Sequence, residues 1–260
     1  MKLLILARPE DAVATCVTVI AKALVEKPNA VLGLATGGTM EPVYDGLVQR
    51  AKAGEISLAR ATSFNLDEYV GLSPEHPQSY HRFMQDRLFR PLALDPARTH
   101  LSRGDAADPV AEAARYDAAI AAAGGIDLQL LGIGGNGHIG FNEPSSSLAS
   151  PTRVKTLARA TRDANARFFG ASEPIPRFAI TMGIATILRS RHAVLLATGA
   201  QKAEAVAAMV EGPLSARCPA SALQMHPRAT VVLDAEAAAG LELRQYYETV
   251  HPEGQETSLD

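Results

Sequence analysis

Residues 126–144 read I-D-L-Q-L-L-G-I-G-G-N-G-H-I-G-F-N-E-P. Ile126 to Ile133 is strand-like, although Asp127 and Gln129 interrupt its apolar residues. Glycines at Gly132, Gly134, Gly135, Gly137 and Gly140 follow. Glycine reaches backbone conformations closed to other residues and lets a ligand come close to the main chain. Open α/β sheets bind ligands in such loops, outside the carboxyl ends of their strands. His138 and Glu143 add titratable groups to this loop.

Moving outward, strands and helices alternate. Leu3–Ala7, Ala30–Ala35, Thr62–Asn65, His192–Thr198 and Ala229–Leu233 read as further strands. Asp11–Val25, Glu41–Ala53, Ser79–Leu88, Asp108–Ala123, Phe178–Leu188 and Gln201–Val210 read as helices. The apolar runs Leu3–Leu6 and Ala193–Ala197 suit strands buried on both faces. This rhythm predicts an α/β fold: an open, mostly parallel sheet with helices on both faces, a Rossmann-like three-layer α/β/α arrangement. No repeat or linker divides residues 1–260, so one domain is expected, with a polar tail over 252–260 that frays.

Composition narrows the class of function. The chain has 260 residues, 47% hydrophobic and 20% charged, and a net charge of −3, which leaves no basic footprint for nucleic acid. The opening run Met1–Ala7 stops at Arg8-Pro9-Glu10-Asp11, too short for a signal peptide or a membrane span. Cys16 and Cys218 are the only cysteines, so no disulfide framework or cysteine-rich zinc site is expected. Two buried thiols suit a reduced cytoplasm.

Four strands end in polar or glycine-rich loops on what would be one sheet edge. Thr36-Gly37-Gly38-Thr39 lies between a strand and a helix. Bare amides before a helix N-terminus seat a phosphate, but a tight turn capped by Thr39 would read the same way. Lys202 opens a helix, where positive charge opposes the dipole unless an anion lies between; a solvated surface lysine is the plainer alternative. Asp67 is a base whose pKa its neighbour Glu68 would raise, or a cap for the next turn. His138 and Glu143 form an acid–base pair, or a structural pair that pins the loop. Context alone does not select Arg167.

The spacing Gly132-x-Gly134-x-x-Gly137 matches a dinucleotide fingerprint, but Phe141-Asn142-Glu143-Pro144 continues as loop where that motif needs a helix. No nucleotide triphosphate loop and no metal-ligand spacing occur. The residues describe a phosphate grip with acid–base groups and no cofactor, as in a sugar-phosphate isomerase, deaminase or lactonase.

At this point the chain resembles the glucosamine-6-phosphate deaminase (isomerase) family. The matching blocks include Leu32–Thr39, Phe64–Leu72, Glu75–Tyr80, Gly134–Pro144, Thr152–Leu157, Asp163–Phe169, Gly199–Ala203 and Ala222–Pro227, nearly the whole chain in order. The resemblance implies ring opening of an amino sugar phosphate, isomerisation between C1 and C2, and release of ammonia to give fructose 6-phosphate, in N-acetylglucosamine catabolism. His138 would open the ring, supported by Asn136 and Glu143. Asp67 would shuttle the C1–C2 proton. Arg167, Lys202 and the Thr36–Thr39 loop, through Gly37, Gly38 and Thr39, would hold the phosphate. No metal or organic cofactor is implied.

Many family members carry Asp where this chain has Asn136; the amide orients His138 but supplies no charge, which would leave Glu143 as the electrostatic partner. Ser146, Arg153, Lys155 and Thr156 match an effector site for N-acetylglucosamine 6-phosphate, between subunits in regulated members. The tyrosine that completes it there has no secure counterpart; Tyr246 and Tyr247 are only nearby. The family includes monomers and larger assemblies, so a homo-oligomer is one expectation. Galactosamine-6-phosphate deaminase and a 6-phosphogluconolactonase-like hydrolase are the alternative readings.

Overall fold

The computed structural model describes residues 1–165, 169 and 173–255. Its strands are β1 (Lys2–Leu6), β2 (Val31–Leu34), β3 (Thr62–Asn65), β4 (Asp67–Tyr69), β5 (Thr99–His100), β6 (Leu128–Leu131), β7 (Arg153–Thr156), β8 (Phe178–Thr181), β9 (His192–Ala197) and β10 (Ala229–Asp234). Its helices are α1 (Pro9–Glu26), α2 (Glu41–Lys52), α3 (Tyr80–Met84), α4 (Pro109–Ala122), α5 (Arg159–Asn165), α6 (Ile184–Leu188), α7 (Ala203–Val210) and α8 (Arg244–Val250).

Seven strands form a wholly parallel sheet in the order β1-β10-β9-β6-β2-β3-β5. The central strands β9 and β10 are buried at every position, as expected for H-A-V-L-L-A and A-T-V-V-L-D covered on both faces. The polar interruptions of the β6 region have structural reasons. Asp127 accepts from the Val31 amide and pairs with Lys27 and Arg191. Gln129 lies over Gly33, where a Cβ would stand 2.0 Å from its Oε1. From β2 the chain runs outward through β3 to β5; from β6 it runs the other way through β9 to β10. The gap between the ends of β2 and β6 is therefore the topological switch point, where such folds place ligands.

A second, antiparallel sheet has the order β4-β8-β7. It corrects the reading of Phe178–Leu188 as one helix. Phe178–Thr181 is strand β8, and the helix begins only after Gly183. A Cβ at Gly183 would stand 2.1 Å from the carbonyl oxygens of Ser150 and Pro151, so the break requires glycine. Leu66 joins the two sheets. Its N–H donates to Leu34 O of β2 (2.9 Å), and its carbonyl accepts from Met182 N–H beyond β8 (2.7 Å).

Two helices differ in detail from expectation. α3 passes at Gln85–Phe89 into a wider π turn, and Ala200–Lys202 form a 3-10 turn before α7. At the start of the tail, Pro252–Gly254 make a 3-10 turn, and Gly254 is buried, a Cβ there lying 2.7 Å from Leu6; residues 256–260 lie outside the described residues. The main apolar cluster fills the space around the large sheet. A smaller one, with Tyr69, Phe141 and Phe169, lies beside the small sheet.

Candidate active site

A cleft of about 590 Å³ opens at the switch point. Thr36, Gly37, Gly38, Thr39, Asp67, Asn136, His138 and Lys202 all line it. Four separate strand ends supply them, as the sequence predicts.

The loop after β2 lies on one side. Gly37 has φ +107°, a conformation that side chains other than glycine rarely adopt, and a Cβ at Gly37 or Gly38 would meet nothing within 4 Å. The amides of this loop precede α2, the arrangement that attracts an anion. Lys202 reaches the same cleft from the turn before α7. Its Nζ donates to Ile133 O (2.7 Å), and burial pushes its pKa down. That turn is fixed from below by Asp234, whose buried carboxylate accepts from the Gly199 and Ala237 amides.

The glycine loop after β6 holds the imidazole. His138 Nδ1 lies 2.7 Å from Asn136 Oδ1, an acceptor, so Nδ1 carries the proton and Nε2 is left for a ligand. Asn136 Nδ2 in turn donates to Glu143 Oε2 (2.8 Å), which is 3.5 Å from His138 Nδ1. Thr161 of α5 donates to the other carboxylate oxygen. Burial pushes the Glu143 carboxyl up, but the hydrogen bonds from His138, Thr161 and Asn136, with the imidazole's charge, outweigh it and hold it at about 2. Glu143 is thus an anion at neutral pH. Gly134 allows the ring its place, since a Cβ there would stand 2.1 Å from it.

Asp67 enters from β4, on the small sheet. It is 6% exposed. Burial, then the neighbouring Glu68 carboxylate, push its pKa up to about 8 against one backbone donor, the Phe141 amide. A carboxyl titrating near neutrality suits proton transfer. Gly140, at φ +55°, packs beside it, with an added Cβ 3.3 Å from Oδ2.

Some site residues were not legible in the sequence. Tyr80 lines the cleft, stacks on Phe141 and donates to the Tyr69 hydroxyl (3.2 Å). Thr161 also lines it. Only long-range contacts bring these two to the cleft. Arg167 lies outside the described residues. Among the described residues no cluster of three or more His, Cys, Asp or Glu side chains is gathered for a metal ion, and no helix is long and apolar enough to cross a membrane.

The four residues matched to an effector site divide. Ser146 is buried with no partner for Oγ; Arg153 Nη1 donates to Asn142 (2.8 Å) while its buried Nη2 has none. Burial pushes the Lys155 pKa down, Arg153 adds to this, and Glu143 opposes it. Alternation along β7 sends Arg153 and Lys155 to one face and the exposed Thr156 to the other. Tyr246 and Tyr247 stand on α8, which packs on the edge strand β1.

The family model of glucosamine-6-phosphate isomerases and 6-phosphogluconolactonases matches residues 7–232, and the chain belongs to this family. A glucosamine-6-phosphate deaminase of Hahella chejuensis is 53% identical over 253 residues, covering 97% of each chain. The solved structure of a monomeric glucosamine-6-phosphate deaminase superposes with a TM-score of 0.89 at 46% identity, over 92% of this chain and all of that one. A 6-phosphogluconolactonase from Trypanosoma cruzi has a TM-score of 0.76 at 18% identity, over 93% of this chain and 97% of that one, a likeness of fold alone.

Proposed function

We propose that this chain converts glucosamine 6-phosphate and water into fructose 6-phosphate and ammonia. The observation that carries the reading is the meeting, in one cleft, of a neutral-range carboxyl at Asp67, His138 and Asn136 backed by the buried Glu143, and Lys202 beside a glycine loop. Relatives at more than half identity act on this substrate by name.

The steps follow from the groups. The phosphate takes the Gly37, Gly38 and Thr39 loop and Lys202; Arg167 is the further cation assigned here by resemblance. His138 moves the proton between the C1 hydroxyl and the ring oxygen as the C1–O5 bond breaks, and Glu143 through Asn136 stabilises its charged form. Asp67 takes the proton from C2 and returns it to C1 through an enolamine. The C2 imine that results adds one water, and the C–N bond breaks to leave the ketone and ammonia. The reaction is an isomerisation completed by deamination. Two buried free thiols suit a reducing cytoplasm as its place.

Ser146, Arg153 and Lys155 form a second anion cluster in this reading, supported by the unpartnered Ser146 Oγ and Arg153 Nη2, with N-acetylglucosamine 6-phosphate as its ligand. The main reading is tested by ammonia release from glucosamine 6-phosphate with equimolar fructose 6-phosphate. Binding of the sugar phosphate without turnover would refute it.

A further inference from the structure

We propose that Glu68 is a positioning residue for this reaction: its buried carboxylate joins the strand that carries Asp67 to the first turn of the helix that brings Tyr80 into the cleft. The inference rests on Asp67 as the group that moves the C2 proton.

Glu68 is 2% exposed. Its Oε1 accepts from the amides of Tyr69 (2.9 Å) and Tyr80 (3.0 Å), and its Oε2 from the amide of His81 (2.8 Å). The chain between these partners runs through the Gly71–Ser79 loop, so one side chain fixes two segments eleven or more residues apart. The opening amides of α3 need acceptors. Ser79 supplies one, for Arg82, as a neutral cap. A buried carboxylate costs far more to desolvate than a second neutral cap would. The space around it is closed: a Cβ at Gly104 would stand 3.1 Å from Glu68 Cγ and 2.2 Å from Tyr69 O.

What a neutral cap would not supply is charge beside Asp67. The titratable groups facing Asp67 are Glu68 and Tyr69 from its own strand, Tyr80 from α3 and Tyr116 from α4. His138 and Lys202 line the same cleft. Of these, Glu68 is the carboxylate; burial pushes its own pKa up to about 7 against the three amide donors, and in its charged form it adds to burial in raising the proton affinity of Asp67. Glu68 thus sets both where Asp67 stands relative to Tyr80 and how readily it takes a proton.

Two variants separate these effects. Glu68→Gln keeps the length, removes the charge and sets one N–H against a backbone amide that the carboxylate accepts from; the acid limb of the kcat/KM profile should move to lower pH by about one unit. Glu68→Asp keeps the charge and shortens the reach; the limb should stay, while kcat/KM on the plateau falls on the order of ten- to a hundredfold. A thermal shift with inorganic phosphate checks that each variant is folded with its phosphate seat intact. An unmoved limb in a folded Gln variant, or wild-type kcat/KM in the Asp variant, overturns the proposal. Should the Gln variant not fold, the Asp variant decides alone. Asp67→Asn is run beside them: full activity there refutes the role of Asp67 itself, whereas an inactive Asp67→Asn with wild-type-like Glu68 variants refutes only the present proposal.

Discussion

Asp67→Asn should slow turnover sharply and stabilise the fold. The folded carboxyl titrates at about 8, against an ordinary value of 3.8. Below pH 3.8 it is protonated in both states. Between 3.8 and 8 the unfolded chain gives up a proton that the folded chain keeps, so stability falls as pH rises and levels off above about 8. At 1.36 kcal/mol per unit, roughly 4 kcal/mol has been lost by pH 7. Asparagine does not ionise and escapes this loss. Its amide brings an N–H into a buried place shaped for a carboxyl, which costs about 1–3 kcal/mol. The net expectation is a variant roughly 2 kcal/mol more stable than wild type at pH 7. Urea unfolding of both proteins at pH 5 and pH 8 removes the amide penalty from the comparison. The gap between them should widen by about 3–4 kcal/mol over that interval. Ammonia release should fall on the order of 10²–10⁴-fold. A stability gap that stays constant from pH 5 to pH 8 would refute the account of Asp67 as a buried, proton-holding carboxyl, whatever the activity.

Other perturbations test the remaining parts. Asn136→Asp places a second carboxylate about where Nδ2 now donates to Glu143 at 2.8 Å; the pair should share a proton, lift Glu143 from about 2 and move a limb of the pH–rate profile by about one unit, and an unchanged profile would show that Glu143 does not supply the charge. Lys202→Met should raise KM on the order of tenfold with a smaller change in kcat; the reverse pattern would take Lys202 out of the phosphate seat. Gly134→Ala drives a methyl to 2.1 Å from the His138 ring and should lower kcat on the order of 10²-fold, so a wild-type kcat would mean that the ring position is not critical. N-acetylglucosamine 6-phosphate should turn sigmoidal kinetics hyperbolic in wild type and not in Arg153→Met; hyperbolic kinetics without response would remove the second anion cluster.

The large sheet was legible because β9, β10 and β2 are short aliphatic runs with turn residues after them. The small sheet was not. Arg153–Thr156 has one aliphatic residue, Val154, and is a strand only through its pairing with Phe178–Thr181. Phe178–Leu188 carries apolar residues through both a strand and a helix, so periodicity merged them across Gly183. In the cleft, the strand-end loops declared themselves by glycine and charge. Tyr80, Thr161 and the anchoring by Glu68 did not, because each depends on a contact between segments far apart in sequence. The expected influence of Glu68 on Asp67 was readable from adjacency alone, and the structure has the same direction.

The joint at Leu66 has a consequence for how such a protein can change. The Thr36–Thr39 loop and the imidazole loop hang from the large sheet, while Asp67 hangs from the small one, one residue past the joint. The two halves of the chemistry are therefore separately mounted. On the proposed reading, substitutions that shift β8, the strand paired with β4, should re-aim Asp67 without directly moving the Thr36–Thr39 loop of the large sheet. Such a change in the aim of the carboxyl would then be separable from the binding of the phosphate.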